Sequence, residues 1–109
     1  MLLNEFLKYL KLEKRYSSHT VKAYQIDLTQ FQDYLEETYE SVLQKAKHPM
    51  VRSWLAQMLD FGFSPRSVNR KITALKSFYK FLLKEEEIRE DPTIKIVSPK
   101  MSKKIPSFV

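Results

Sequence analysis

Residues 63–84 read FSPRSVNRKITALKSFYKFLLK, and the spacing of their side chains decides the fold. Val68, Ile72, Leu75, Tyr79 and Leu82 recur at intervals of three and four, which places them on one face of an α-helix. Ser64 precedes Pro65, a serine cap followed by a proline at the first helical position, where its missing N–H costs nothing. The opposite face carries Arg66, Arg70, Thr73, Ser77, Lys80 and Lys84, so long cations alternate with short hydroxyls over about four turns. From 64 to 84 there are six Lys/Arg and no acid; the acids Glu85, Glu86, Glu87, Glu90 and Asp91 follow at once.

The same reading extends in both directions. Leu3, Phe6, Leu7 and Leu10 mark a first helix over about 2–14. Val21, Tyr24, Leu28, Phe31 and Leu35 mark a second, starting after Ser17 and running to about Glu37. Val51, Trp54, Leu55, Met58 and Leu59 mark a third, opening at Pro49 and stopped by Gly62, which supplies the left-handed residue that ends helices. The starts of the second and fourth helices match at an offset of 47: Tyr16-Ser17-Ser18-His19-Thr20-Val21 aligns with Phe63-Ser64-Pro65-Arg66-Ser67-Val68. Each has a serine to cap the helix and an aromatic to staple onto it. The expected architecture is all-α, a bundle of four to five helices made of two packed hairpins over residues 1–91. Pro92, Pro99 and Pro106 make 92–109 an extended arm or linker.

Composition removes many alternatives. The chain has 109 residues, enough for one domain that buries roughly 65% of its unfolded surface. One glycine cannot supply the turns of a β-sandwich or a glycine-rich phosphate loop, and the absence of cysteine removes disulfides and thiol chemistry. Two histidines, His19 and His48, make no metal set, and no catalytic constellation, cofactor site or small-molecule substrate site is evident. No apolar run spans a membrane or forms a signal peptide, which leads to the expectation of a cytoplasmic protein. Phe6, Tyr24, Phe31, Trp54 and Tyr79 fall on core stripes; Tyr9, Tyr34, Tyr39, Phe78 and Phe81 fall at or off the stripe edges, where they could pack at a domain interface.

Charge is unevenly placed: residues 1–40 hold five Lys/Arg against seven Asp/Glu, and residues 41–109 hold fourteen against six. Helix N-termini offer unpaired N–H groups and a partial positive charge, which suit phosphate. Ser18, His19, Thr20 and Lys22 add donors at one such end, and Arg66, Ser67, Asn69 and Arg70 at another. The fourth-helix face, with Thr73, Ser77 and Lys80 between its cations, suits a DNA major groove. An acidic protein partner, or solvent alone, would also suit a basic face.

Three motifs in order carry a resemblance. Ser17 to Leu28 fits S-x-x-T-x-x-x-Y-x-x-D-L; Ser64 to Leu82 fits S-x-x-S-x-x-R-x-x-x-A-L-R-x-F-Y-x-F-L with Lys76 in place of its second Arg; Val51 to Ala56 fits a third-helix pattern between them. These resemble the N-terminal core-binding domain of tyrosine recombinases and integrases, of the Xer group. Asp91-Pro92 and Pro99-Lys100 to Ile105-Pro106 resemble that family's link to its catalytic domain, with Asp91 where Asn is common. The resemblance implies a SAM-like orthogonal bundle that clamps duplex DNA, contacts other recombinase protomers in a tetramer, and performs no catalysis alone. The catalytic domain would follow Val109. It implies DNA contacts at Ser18, His19, Thr20, Lys22, Arg66, Ser67, Asn69, Arg70 and Thr73, with Lys22, Arg70 and Thr73 at base edges and the hydroxyls and His19 at phosphates.

Overall fold

A computed structural model describes residues 2–97. Four α-helices follow one another: α1 (Leu2–Leu12), α2 (Ser18–Tyr39), α3 (His48–Asp60) and α4 (Pro65–Lys84), with a 3-10 turn at Leu43–Lys45 between α2 and α3. No strand occurs among the described residues, so the all-α expectation holds. Both predicted serine caps form. Ser17 Oγ accepts from the Thr20 N–H and Ser64 Oγ from the Ser67 N–H, each at 3.2 Å.

α2 and α4 form the centre. α2 packs against α1, α3, α4 and the 3-10 turn, and α4 packs against α1, α2 and α3. Phe6 and Leu10 of α1, Leu28, Phe31 and Leu35 of α2, and Val51, Trp54, Leu55 and Met58 of α3 are all buried in one core together with the apolar face of α4. The buried face of α4 is wider than its five-residue stripe. Ala74, Phe78 and Phe81 are buried too, because neighbours enclose the helix on more than one side. Phe78 and Phe81 are therefore core residues and not interface aromatics. Tyr9 and Tyr34 are half-buried, and Tyr39 is exposed.

Helix ends show how a chain with one glycine stops its helices. α3 ends as expected: Gly62 takes φ 91°, the Phe63 N–H reaches the Met58 carbonyl at 3.0 Å, and the Gly62 N–H reaches Leu59 at 3.1 Å. α2 and α4 use the same closure with glutamates. Glu40 (φ 51°) and Glu86 (φ 59°) occupy the left-handed position, and the Ser41 and Glu87 N–H groups bond back to Leu35 and Leu82. A side chain in that conformation costs about 1–2 kcal/mol, and an acid there also faces the negative end of the helix dipole. Glu40→Gly is accordingly expected to stabilise the fold by about 0.5–1 kcal/mol, read as a higher urea midpoint at unchanged slope. A lower midpoint would show that the Glu40 side chain does work that its backbone conformation conceals.

The stretch after α4 departs from the sequence reading. Residues 92–97, expected as the start of an extended arm, form a turn that docks on the bundle, with Pro92, Thr93 and Ile96 buried. Asp91 Oδ1 accepts from the Thr93 N–H (2.7 Å) and Thr93 Oγ1 (2.6 Å), a local cap that an asparagine Oδ1 would also make. Lys76 Nζ donates to the Ile96 carbonyl at 3.0 Å. Lys76 therefore anchors this segment. Prolines signal that a helix stops, but they do not say whether the following chain packs. The rest of the expected arm, 98–109, lies outside the described residues.

Across the bundle, the Tyr79 hydroxyl donates to the Leu43 carbonyl at 2.6 Å and ties α4 to the 3-10 turn. Burial raises the Tyr79 hydroxyl above the ordinary tyrosine value, and the nearby Asp91 charge adds to this. Tyr79→Phe removes one buried bond, while the Leu43 carbonyl keeps the Ala46 N–H. The expected loss is about 1–2 kcal/mol in urea unfolding. Because folding raises this group's pKa above its unfolded value near 10, its contribution is complete below about pH 10 and fades as pH rises beyond that. The variant should therefore lose less stability than wild type on going alkaline.

Candidate nucleic-acid interface

Contacts between α2 and α4 descend along α4 as they ascend along α2. Tyr24 meets Ser77, Asp27 meets Arg70 and Lys71, and Gln30 meets Lys71. The start of α2 consequently lies beside the later half of α4, and the start of α4 lies beside the middle of α2. The two helix N-termini singled out in the sequence are at opposite ends of this crossing. What joins them is the exposed stripe of α4 itself.

Along that stripe Arg66, Arg70, Thr73, Lys80 and Lys84 are exposed and Ser77 is half-buried. At 1.5 Å per residue, Arg66 to Lys84 spans about 27 Å. Ser18, His19 and Lys22 are exposed at the start of α2; Thr20, Ser67 and Asn69 are half-buried. Two of the hydroxyls already have partners: Thr20 Oγ1 lies 3.1 Å from Ser17 Oγ, and Ser67 Oγ accepts from Ser64 Oγ at 3.2 Å. Thr73 Oγ1 donates to the Asn69 carbonyl of its own helix at 3.0 Å, which turns its methyl group into the part available for contact. Tyr24 has its hydroxyl raised, burial being the main cause, with a hydrogen bond from Ser77 opposing it.

A cleft on this face is lined by Lys14, Tyr16, Ser77, Lys80 and Lys84 among others. Three lysines thus share one opening between the α1–α2 connection and α4. Lys84 Nζ also lies 5.1 Å from the centre of the Tyr9 ring. Lys14 was not singled out from the sequence, and Tyr16 only as a staple for α2, since a connection's position relative to a distant helix is not written in local spacing.

Beneath the stripe is a polar cluster that the sequence reading missed. Asp27, on α2, is buried at 1% exposure, and Lys71, on α4, is buried at 4%. Lys71 Nζ lies 2.9 Å from Asp27 Oδ1 and also donates to Gln30 Oε1. Arg70 grips the same carboxylate from outside, Nη2 to Oδ1 at 3.0 Å and Nε to Oδ2 at 3.3 Å. A signal existed. Asp27 stands three residues after Tyr24 and four before Phe31, and Lys71 three after Val68 and four before Leu75, so each ion sits in the core register of its helix.

Fold and face together define a small, all-helical domain of the SAM-like class, with a basic helix laid across one side. Residues 3–86 match the model of the family described as phage integrase, N-terminal SAM-like domain, and the chain belongs to that family. It is 38% identical over 107 residues to a tyrosine recombinase XerC of Anoxybacillus flavithermus, covering 98% of this chain and 36% of the relative. Against a tyrosine recombinase XerC of Halalkalibacterium halodurans the identity is 36% over 107 residues, covering 98% and 35%. Against a tyrosine recombinase XerD of Staphylococcus aureus it is 34% over 108 residues, covering 99% and 37%. The chain spans about a third of the length of the curated relatives it matches. No solved structure matches it.

Proposed function

We propose that this chain is the duplex-DNA-binding domain of a site-specific tyrosine recombinase of the Xer group. In this reading it holds the recombination site while a separate catalytic domain cuts and rejoins strands. The observation that carries the reading is the α4 stripe: five exposed residues, four of them cations, on a helix with no acid from 64 to 84. Its length of about 27 Å matches roughly eight base pairs of duplex. The relatives' names support the recombinase context. Arg66, Lys80 and Lys84, with Ser18, His19 and Thr20 at the start of α2, hold phosphates. Ser67, Asn69 and Ser77 lie along the same strip. Lys22, Arg70 and Thr73 lie at base edges, Arg70 through its guanidinium and Thr73 through its methyl.

Other recombinase protomers are the proposed protein partners, in a tetramer on DNA, and the bacterial nucleoid in the cytoplasm is the proposed location. Among the described residues no helix is long and apolar enough to cross a membrane.

Titration of a fluorescently labelled duplex by anisotropy tests the reading. If about four phosphates are neutralised, log K falls against log salt with a slope near −3.6, roughly 150-fold between 50 and 200 mM. No binding at 50 mM salt overturns it. A suicide duplex should give no covalent adduct with this chain alone; an adduct would show that the chain itself carries chemistry.

A further inference from the structure

We propose that Asp27 is a positioning residue that presets Arg70 to read a base. The proposal rests on the duplex-binding reading above and deepens it. A guanidinium has five N–H donors. Asp27 engages two of them, on Nε and Nη2, and so fixes both the plane and the direction of the group. The other donors lie at the outer end of a side chain that remains 56% exposed. That outer Nη1/Nη2 fork has the geometry for a bidentate contact with guanine O6 and N7. A long side chain usually loses rotamer freedom when it binds; here the carboxylate has already ordered it.

The carboxylate is itself immobile. It is buried, it is carried on α2 while Arg70 is carried on α4, and Lys71 and Gln30 hold it from the inner side. Lys71 also settles the charge. One carboxylate faces two cations, so the cluster keeps a net positive charge and Arg70 is not neutralised toward a ligand. Arg70 thereby differs from Arg66, Lys80 and Lys84, which have no carboxylate partner among the described residues.

The test uses two probes: a duplex enriched by the wild-type chain from a randomised pool, and a base-shuffled duplex of the same composition. Since Asp27→Asn alone leaves Lys71 buried without its counter-charge, the comparison is between Lys71→Met and Asp27→Asn/Lys71→Met. The single variant keeps the Asp27–Arg70 fork; the double variant loses it. One good bidentate contact is worth roughly 5–150-fold in discrimination. Arg70→Lys keeps the charge, removes the guanidinium, and should lose discrimination of that size. The double variant keeps Arg70 and loses only its preset orientation, so it is expected to lose roughly 2–13-fold of discrimination relative to Lys71→Met, yet to hold the shuffled duplex at least as tightly, because a negative charge has gone. Destabilisation alone would weaken both probes together. Equal discrimination by Lys71→Met and the double variant overturns the role of Asp27 and leaves the duplex reading standing. Wild-type binding with no enrichment from the pool overturns base reading by Arg70. No duplex binding at all overturns both proposals.

Discussion

Asp27→Leu is expected to cost about 3–5 kcal/mol of folding stability, because it strands the Lys71 ammonium in the core without its counter-charge. Lys71 is 4% exposed, and its other bond is to the neutral Gln30 amide. Against the 5–15 kcal/mol that holds a domain of this size together, such a loss removes much of the margin. The compensating variant is informative. Asp27→Leu/Lys71→Met replaces both buried ions by apolar groups and should recover most of the loss, since an ion pair that is desolvated on both sides often breaks even with a hydrophobic pair. Urea unfolding followed by Trp54, which is buried and the sole tryptophan, reads both variants. If the double variant is as unstable as the single, the cost lies in packing around position 27 and not in the stranded charge.

Phe6→Ala should cost a similar amount, about 3–5 kcal/mol, by a different route. Phe6 is fully buried and meets four rings: Phe78 edge-on at 5.3 Å between centres, Phe81 at 5.5 Å, Tyr24 at 6.3 Å and Tyr9 at 6.4 Å. It belongs to α1, an 11-residue helix too short to persist by itself in water, so docking of this ring is what keeps α1 folded. Loss of the ring leaves a cavity among residues of three helices. A fall in helical signal before the main transition would show α1 detaching on its own. A single transition at a lower midpoint would show that α1 is integral to the cooperative unit, and that is the expected result. A change of under about 1 kcal/mol would mean that the surrounding aromatics collapse into the space.

The helices were legible because their information is local. Leu28, Phe31 and Leu35 share a face by spacing alone, and Ser17, Ser64 and Gly62 mark ends by chemistry that acts within one turn. The basic stripe was legible for the same reason, as six positions on one helix. What spacing does not carry is which faces meet. The union of Asp27 with Arg70 and Lys71 spans more than 40 residues of chain and needs α2 laid on α4. Both ions sit in core register, yet a charge in an apolar stripe can equally be read as a stripe's edge until its partner is known. Phe78 and Phe81 were placed outside the core because a single stripe assumes a single neighbour, whereas α4 has three. Leu43 and Ala46 are buried in a connection with no periodicity to announce them.

The docked turn after α4 has a mechanical consequence. With Pro92, Thr93 and Ile96 buried and Lys76 holding the Ile96 carbonyl, residues 92–97 are held to a defined spot on the bundle and do not trail from the end of α4. These six residues therefore belong to the body of the domain, and the Lys76–Ile96 contact works as a clasp: undoing it would free six residues of chain from the bundle without adding one.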